Sequence, residues 1–190
     1  MAPVSIPKLI ERVDFAFENS TARIIANRSC PEIKLAGLSV GPFEEGNEYE
    51  TYYWVAFELD RSGIAHFREG ESMNISKLSK TQWTERVQAT GQIPRLPDEF
   101  YPKLRRCLSE SKRNSAKIPE KMLEYEKAMH LTRDIINSRL RKIVSIASAP
   151  AQTEQVLKNF SKEERLLYDQ LYVLISEWRT SILEYEEVEK

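Results

Sequence analysis

The chain has 190 residues, 41% of them hydrophobic and 30% charged, the balance of a soluble globular protein built as one domain or two small ones. Its 28 basic and 29 acidic side chains leave a net charge near −1, which excludes the overall positive field of a dedicated duplex-DNA binder. Cys30 and Cys107 lie far apart with no His or Cys at metal-ligand spacing, which argues against a disulfide scaffold or a zinc module and for a reducing, cytosolic setting.

Residues 1–10 contain prolines and no long apolar stretch, so no signal peptide is expected. No window approaches the roughly 18 consecutive apolar residues of a membrane span. The first half is made of short segments between turn formers: Arg23-Ile24-Ile25-Ala26-Asn27, then Ile33-Lys34-Leu35-Ala36-Gly37, then Val40-Gly41-Pro42-Phe43. Such β-branched runs read as strands of a small sheet. Glu44, Glu45, Glu48 and Glu50 follow as a solvated acidic loop without the spacing of a calcium loop. In Tyr52 to Leu59 aromatic and β-branched residues favour a strand, while Trp54, Val55 and Leu59 also fall at helical spacing, and periodicity leaves both readings open. Trp54 reads as core of the small domain.

Residues 76–90, with Leu78, Trp83 and Val87, read as a connecting helix, and Trp83 is expected to pin the two domains together. Gly91, Pro94 and Pro97 then make a semi-rigid linker. Beyond residue 97 there is no glycine. Phe100, Leu104 and Leu108 mark a first helix, on which Cys107 is expected to be a small core residue. Pro119 opens a second helix that the Ala149-Pro150 pair closes, with Met129, Ile136, Leu140, Ile143 and Ala147 along one stripe and Leu131 and Ile135 widening it. A third begins at Ser161, where Ser161 and Glu164 form a capping box, and carries Leu167, Leu171, Leu174, Trp178 and Ile182. The tail from Glu184 to Lys190 reads as a fraying acidic end. The fold class is therefore α+β: a small β-rich N-terminal domain over 1–72, a connecting helix and linker over 73–96, and a C-terminal all-α helical bundle over 97–190.

The order of these motifs resembles the GINS family. Ile24-Ile25-Ala26-Asn27, the Ile33 to Gly37 segment, Val40-Gly41-Pro42-Phe43, Gly46 and Trp54-x-Ala56-x-x-Leu59 are similar to the small domain of GINS subunits that carry it first. Leu96-Pro97-x-x-Phe100-Tyr101-x-x-Leu104, Asp134-Ile135-x-x-x-Arg139-x-x-Lys142-Ile143 and Asn159-Phe160-Ser161-x-Glu163-Glu164 are similar to the helical domain. Each motif alone is common; their shared order is the specific feature. Small domain before helical domain looks like the archaeal subunit related to the eukaryotic second and third Psf proteins, in which the Trp54 segment is helical.

The resemblance implies a non-catalytic scaffold without cofactor or metal. Its implied partners are a GINS subunit of opposite domain order in a two-plus-two heterotetramer, the MCM helicase, and a RecJ- or Cdc-forty-five-family protein. The implied location is cytoplasmic with the archaeal nucleoid, or nuclear in a eukaryote. Ile136, Leu140, Ile143, Leu171, Leu174, Trp178 and Ile182 are the candidate core or subunit-interface residues. From Lys103 to Lys142 there are 12 basic against 5 acidic residues, and from Phe160 to Lys190 4 against 8, a pattern that favours oriented assembly. The rival reading is a stand-alone nucleic-acid-binding module using the basic patch Arg105, Arg106, Lys112, Arg113 and Lys117; no recognition-helix, RNP-type or zinc-finger signature accompanies it. Enzyme chemistry finds no support: His66 and His130 are the only histidines, and no phosphate-binding loop is present.

Overall fold

The computed structural model describes residues 5–35, 37–88, 92–116, 118–149 and 154–183. The chain divides into two compact units, Glu11–Met73 and a second made of the described residues up to Ile10 and from Asn74 onward.

The first unit is a small antiparallel sheet with helices. A helix that sequence periodicity did not predict, α1 (Ile6–Glu18), belongs to this unit from Glu11 onward, and its Phe17 enters the small unit's core. β1 (Thr21–Ala26) buries Ala22, Ile24 and Ala26 on one face, the alternation of a sheet with one solvated side. It lies between β4 (Glu48–Tyr52) and β5 (Ala65–Phe67) in the order β4-β1-β5. β2 (Ile33–Leu35) and β3 (Leu38–Val40) form a separate hairpin with Lys34 opposite Ser39. At the Gly-Pro-Phe turn, Gly41 has φ +91° and an added Cβ would stand 3.2 Å from the Phe43 ring, so both conformation and space call for glycine.

The ambiguous segment is resolved by a change of structure at one peptide. Tyr52 is extended, at φ −60° and ψ 143°, and ends β4, whereas α2 (Tyr53–Arg61) starts at the next residue. The Tyr53 N–H donates to the Ser20 carbonyl at 2.8 Å, a last sheet bond made by the first helical residue. Tyr53, Val55, Ala56 and Leu59 face inward, and Tyr53 meets Phe17 with ring centroids 4.1 Å apart. Trp54 points the other way and is exposed, so it is not the core residue its aromatic character suggests. One step along a helix rotates a side chain by about 100°, and Tyr53 and Val55 hold the inner positions.

The second unit contains α3 (Ile75–Val87), α4 (Phe100–Ser115), α5 (Pro119–Ala147), the short α6 (Glu154–Leu157) and α7 (Lys162–Leu183). Asn74 caps α3, its side chain accepting from the Lys77 N–H at 2.9 Å. α3, α4 and α7 each pack on α5. The segment read as a linker is a strap in this unit: Ile93 and Leu96 are buried, and the Ile93 carbonyl accepts from the Asn159 side chain at 3.0 Å. Ile93 shares a core with Ile143, Ile146, Ala147 and Tyr168, against which Phe160, Leu167 and Leu171 pack. The capping box forms as its spacing requires. The Glu164 N–H donates to Ser161 Oγ at 3.2 Å, and the Ser161 N–H donates to Glu164 Oε2 at 3.0 Å. Pro150 and the acidic tail 184–190 lie outside the described residues.

Candidate functional site

The inward face of α5 is Ala128, Leu131, Thr132, Ile135, Arg139, Lys142, Ile143, Ile146 and Ala147. Two of its central positions are therefore cationic. Arg139 is fully buried, and the groups around it come from every long helix of this unit. Its Nη1 donates to Glu85 of α3 at 2.9 Å and to the Pro94 carbonyl of the strap at 2.5 Å. Its Nε and Nη2 donate to the two carboxylate oxygens of Glu164 of α7 at 2.7 and 2.5 Å. Lys142 Nζ donates to Glu85 Oε2 at 2.8 Å and to the Glu85 carbonyl at 3.1 Å. Tyr101 of α4 donates its hydroxyl to Glu164 Oε1 at 2.8 Å.

This node balances two cations with two carboxylates, all buried, which is the condition for holding charge in a low-dielectric interior. Glu164 accepts four hydrogen bonds here, two from Arg139, one from Tyr101 and one from the Ser161 N–H of its own cap. That uses the about four acceptor sites of a carboxylate. Burial works against the Arg139 charge, but the hydrogen bonds and charges of Glu164 and Glu85 outweigh it and hold the guanidinium above its ordinary value. Burial, reinforced by the Glu164 charge, pushes the Tyr101 phenol well above its usual range. The node fixes where α7 starts relative to α5. From there α7 runs beside α5 in the same direction: Tyr168 packs on Ile143 and Ile146, and Arg179 Nη2 reaches the Ser148 carbonyl at 2.6 Å, just past the end of α5.

The outward faces are apolar. Ile136, Leu140 and Val144, at i, i+4 and i+8 on α5, are 41%, 42% and 40% exposed. On α7 every described residue beyond Ile175 is exposed, including Trp178 at 64%, Ile182 and Leu183, with Val173 and Leu174 just before them. Of the seven residues expected as core or interface, Ile143 is buried, Leu171 packs partly against the core, and Ile136, Leu140, Leu174, Trp178 and Ile182 are exposed. The periodicity showed that α5 is apolar over a wide arc; it could not show that one part of that arc, with Leu131, Ile135, Ile143 and Ala147, turns inward beside Arg139 and Lys142 while Ile136 and Leu140 turn out.

Two of the basic residues of α4 have glutamate neighbours. Arg105 Nη2 lies 3.1 Å from Glu163, and Arg113 lies 3.6 Å from Glu110. Lys112 is exposed, Arg106 is half-buried, and Lys117 lies outside the described residues. Cys107 is half-buried with its thiol pushed up by burial, which disfavours a reactive thiolate. Trp83, expected as a packing residue, is 66% exposed. His66 Nδ1 meets Asn27 Oδ1, and His130 Nδ1 lies 3.7 Å from Asp134, each an exposed local contact. Among the described residues no group of three or more His, Cys, Asp or Glu is placed to hold a metal, and no helix is long and apolar enough to cross a membrane. The node is what reading for exposed or apolar residues missed. The signal available was a charged residue recurring on the inward side, Arg139 and Lys142 at i and i+3.

The family described as the GINS complex protein helical bundle domain matches residues 72–183, which span α3 to α7. The chain is also 31% identical over 96 residues to the DNA replication complex GINS protein PSF2 of Homo sapiens. That alignment covers 50% of this chain and 51% of the human protein, about half the length of each.

Proposed function

The chain belongs to the GINS family, and from that premise we propose that it is a non-catalytic subunit of a GINS complex in DNA replication, assembling with other GINS subunits through the outward faces of α5 and α7. The observation that carries this reading is the exposed apolar surface of Ile136, Leu140 and Val144 together with Leu174, Trp178 and Ile182. Apolar stripes of this length on a soluble helical unit mark association surfaces, and the buried node holds the two helices that present them. The family resemblance extends the proposal to a partner of opposite domain order in a two-plus-two assembly, and to an assembled complex that joins the MCM helicase with a RecJ- or Cdc-forty-five-family protein at the nucleoid or in the nucleus.

Co-expression with a GINS subunit of opposite domain order, followed by light scattering on a sizing column, tests the reading. A single stable hetero-oligomer is expected, with the lone chain self-associating. Replacing Leu140 and Trp178 by Ser should abolish the hetero-oligomer while leaving the circular dichroism of the chain unchanged. A lone chain that stays monomeric and ignores that subunit would overturn it. The rival nucleic-acid reading would instead show binding that falls steeply with salt; the pairing of Arg105 and Arg113 with glutamates works against it.

A further inference from the structure

In the small unit β4 is an edge strand, paired only with β1 among the described residues. The register decides which of its backbone groups are free. Thr21 faces Tyr52, Arg23 faces Glu50 and Ile25 faces Glu48. At the two ends of the ladder, the Tyr53 N–H donates to the Ser20 carbonyl at 2.8 Å and the Ala26 N–H donates to the Asn47 carbonyl at 3.0 Å. Bonded and non-bonded pairs alternate in an antiparallel ladder, so residues 49 and 51 bond to β1 and residues 48, 50 and 52 turn their backbones outward. The far side of β1 agrees, since the Arg23 carbonyl accepts from the Arg68 N–H at 3.0 Å towards β5. The N–H groups of Glu48, Glu50 and Tyr52 and the carbonyls of Glu48 and Glu50 thus form an open row.

This row lacks two of the usual protections of an edge, for β4 contains neither proline nor lysine. What it carries is negative charge. Glu48, Glu50 and Tyr52 are exposed on one face, and Glu44 and Glu45 are exposed in the turn before them. Glu48 is held by Arg68 at 3.1 Å and lies 4.0 Å from Arg23, whereas Glu50 forms no ion pair among the described residues. A second copy of β4 would set glutamates beside glutamates, which is unfavourable across strands. We propose that the outer edge of β4 accepts an extended, basic segment of a partner protein as an added strand, its Lys or Arg residues at alternate positions lying beside Glu48 and Glu50. The backbone row supplies affinity and the glutamates supply choice of partner, the division found in strand-addition modules.

The test is a titration of the ¹⁵N-labelled full chain with two short peptides, one alternating Lys and Val and the other alternating Glu and Val. The Lys peptide should slow amide exchange at Glu48, Glu50 and Tyr52 by about tenfold or more and leave Thr51 unchanged; the Glu peptide should do neither. Glu50→Pro removes one outward N–H and no bond to β1, and should weaken the Lys peptide by about tenfold. Glu50→Gln should keep the amide protection but flatten the salt dependence. Equal binding of both peptides, Lys-peptide binding without amide protection, or Glu50→Pro binding as the unaltered chain would each overturn the proposal. Should Glu50→Pro fail to fold, the amide protection of the unaltered chain decides the question by itself.

Discussion

The cores of the two units differ in whether charge is buried among their apolar side chains. In the small unit the interior is apolar throughout: Phe17, Ile24, Phe43, Tyr53, Val55 and Leu59 fill it, and its ion pairs, such as Arg68 with Glu48, stay on the surface. In the helical unit Arg139, Lys142, Glu85 and Glu164 share the inside with Leu78, Phe100, Ile135 and Ile143, while Ile136, Leu140, Val144 and Trp178 look out. The inward face of α5 holds both the charge node and apolar residues such as Ile135 and Ile143, and its apolar arc is wide enough that Ile136, Leu140 and Val144 remain outside for other contacts. Burial of charge is no stability gain over a packed apolar interior. Its effect here is directional: a guanidinium with fixed donor geometry orients the two helices that carry the exposed stripes.

Breaking the node is expected to have the largest effect. Arg139→Ala strands Glu85 and Glu164 without their main partner, and should destabilise the helical unit by about 3–5 kcal/mol in urea unfolding. Amide exchange should then rise across α7 while the small-unit strands keep their protection. The matching cut in the small unit, Ile24→Ala, removes a fully buried side chain and should cost about 2–5 kcal/mol, with exchange rising in β1 and β4 instead. If both substitutions loosened the same residues, the contrast between the units would fall.

Tyr101 gives a pH test of the same contrast. Its phenol is raised above the ordinary value near 10, so the folded chain keeps a proton that the unfolded chain releases. That stability is fully present below pH 10 and is lost as pH rises towards the folded value, at a limiting slope of about 1.4 kcal/mol per pH unit. Tyr101→Phe should remove this component of the alkaline loss at the cost of about 1 kcal/mol near neutrality; an unchanged alkaline slope would show that the phenol is not held in the node. Ser161→Ala takes away one half of the capping box and should cost about 1 kcal/mol by thermal unfolding. Smallest of all, Trp178→Ala should change the stability of the isolated chain by less than about 0.5 kcal/mol, because the side chain is exposed.

Much of the architecture was legible along the chain. Pro119 and the apolar repeat located α5, the Ser161 and Glu164 spacing located the start of α7, and the β-branched runs around Ile24 and Ile33 located strands. These are local signals: a cap needs residues three apart, and a strand needs neighbours of the right shape. The shared order of motifs carried the family, and the match over 72–183 agrees with it. The change from strand to helix between Tyr52 and Tyr53 was not legible, because it depends on a hydrogen bond to Ser20, thirty-three positions earlier.

By itself, then, the amino-acid order determined where β1, β2, α3, α4, α5 and α7 lie, that a small sheet precedes a helical bundle, and that α5 and α7 are rich in apolar residues. Only the tertiary structure decided which side of α5 turns inward. Periodicity reports that a face is apolar and is silent on whether anything covers it. The answer rests on Arg139 meeting Glu85, 54 positions before it, and Glu164, 25 positions after it. Those charges find one another only when three helices are packed, and once paired they occupy the interior and leave Ile136, Leu140 and Val144 at the surface.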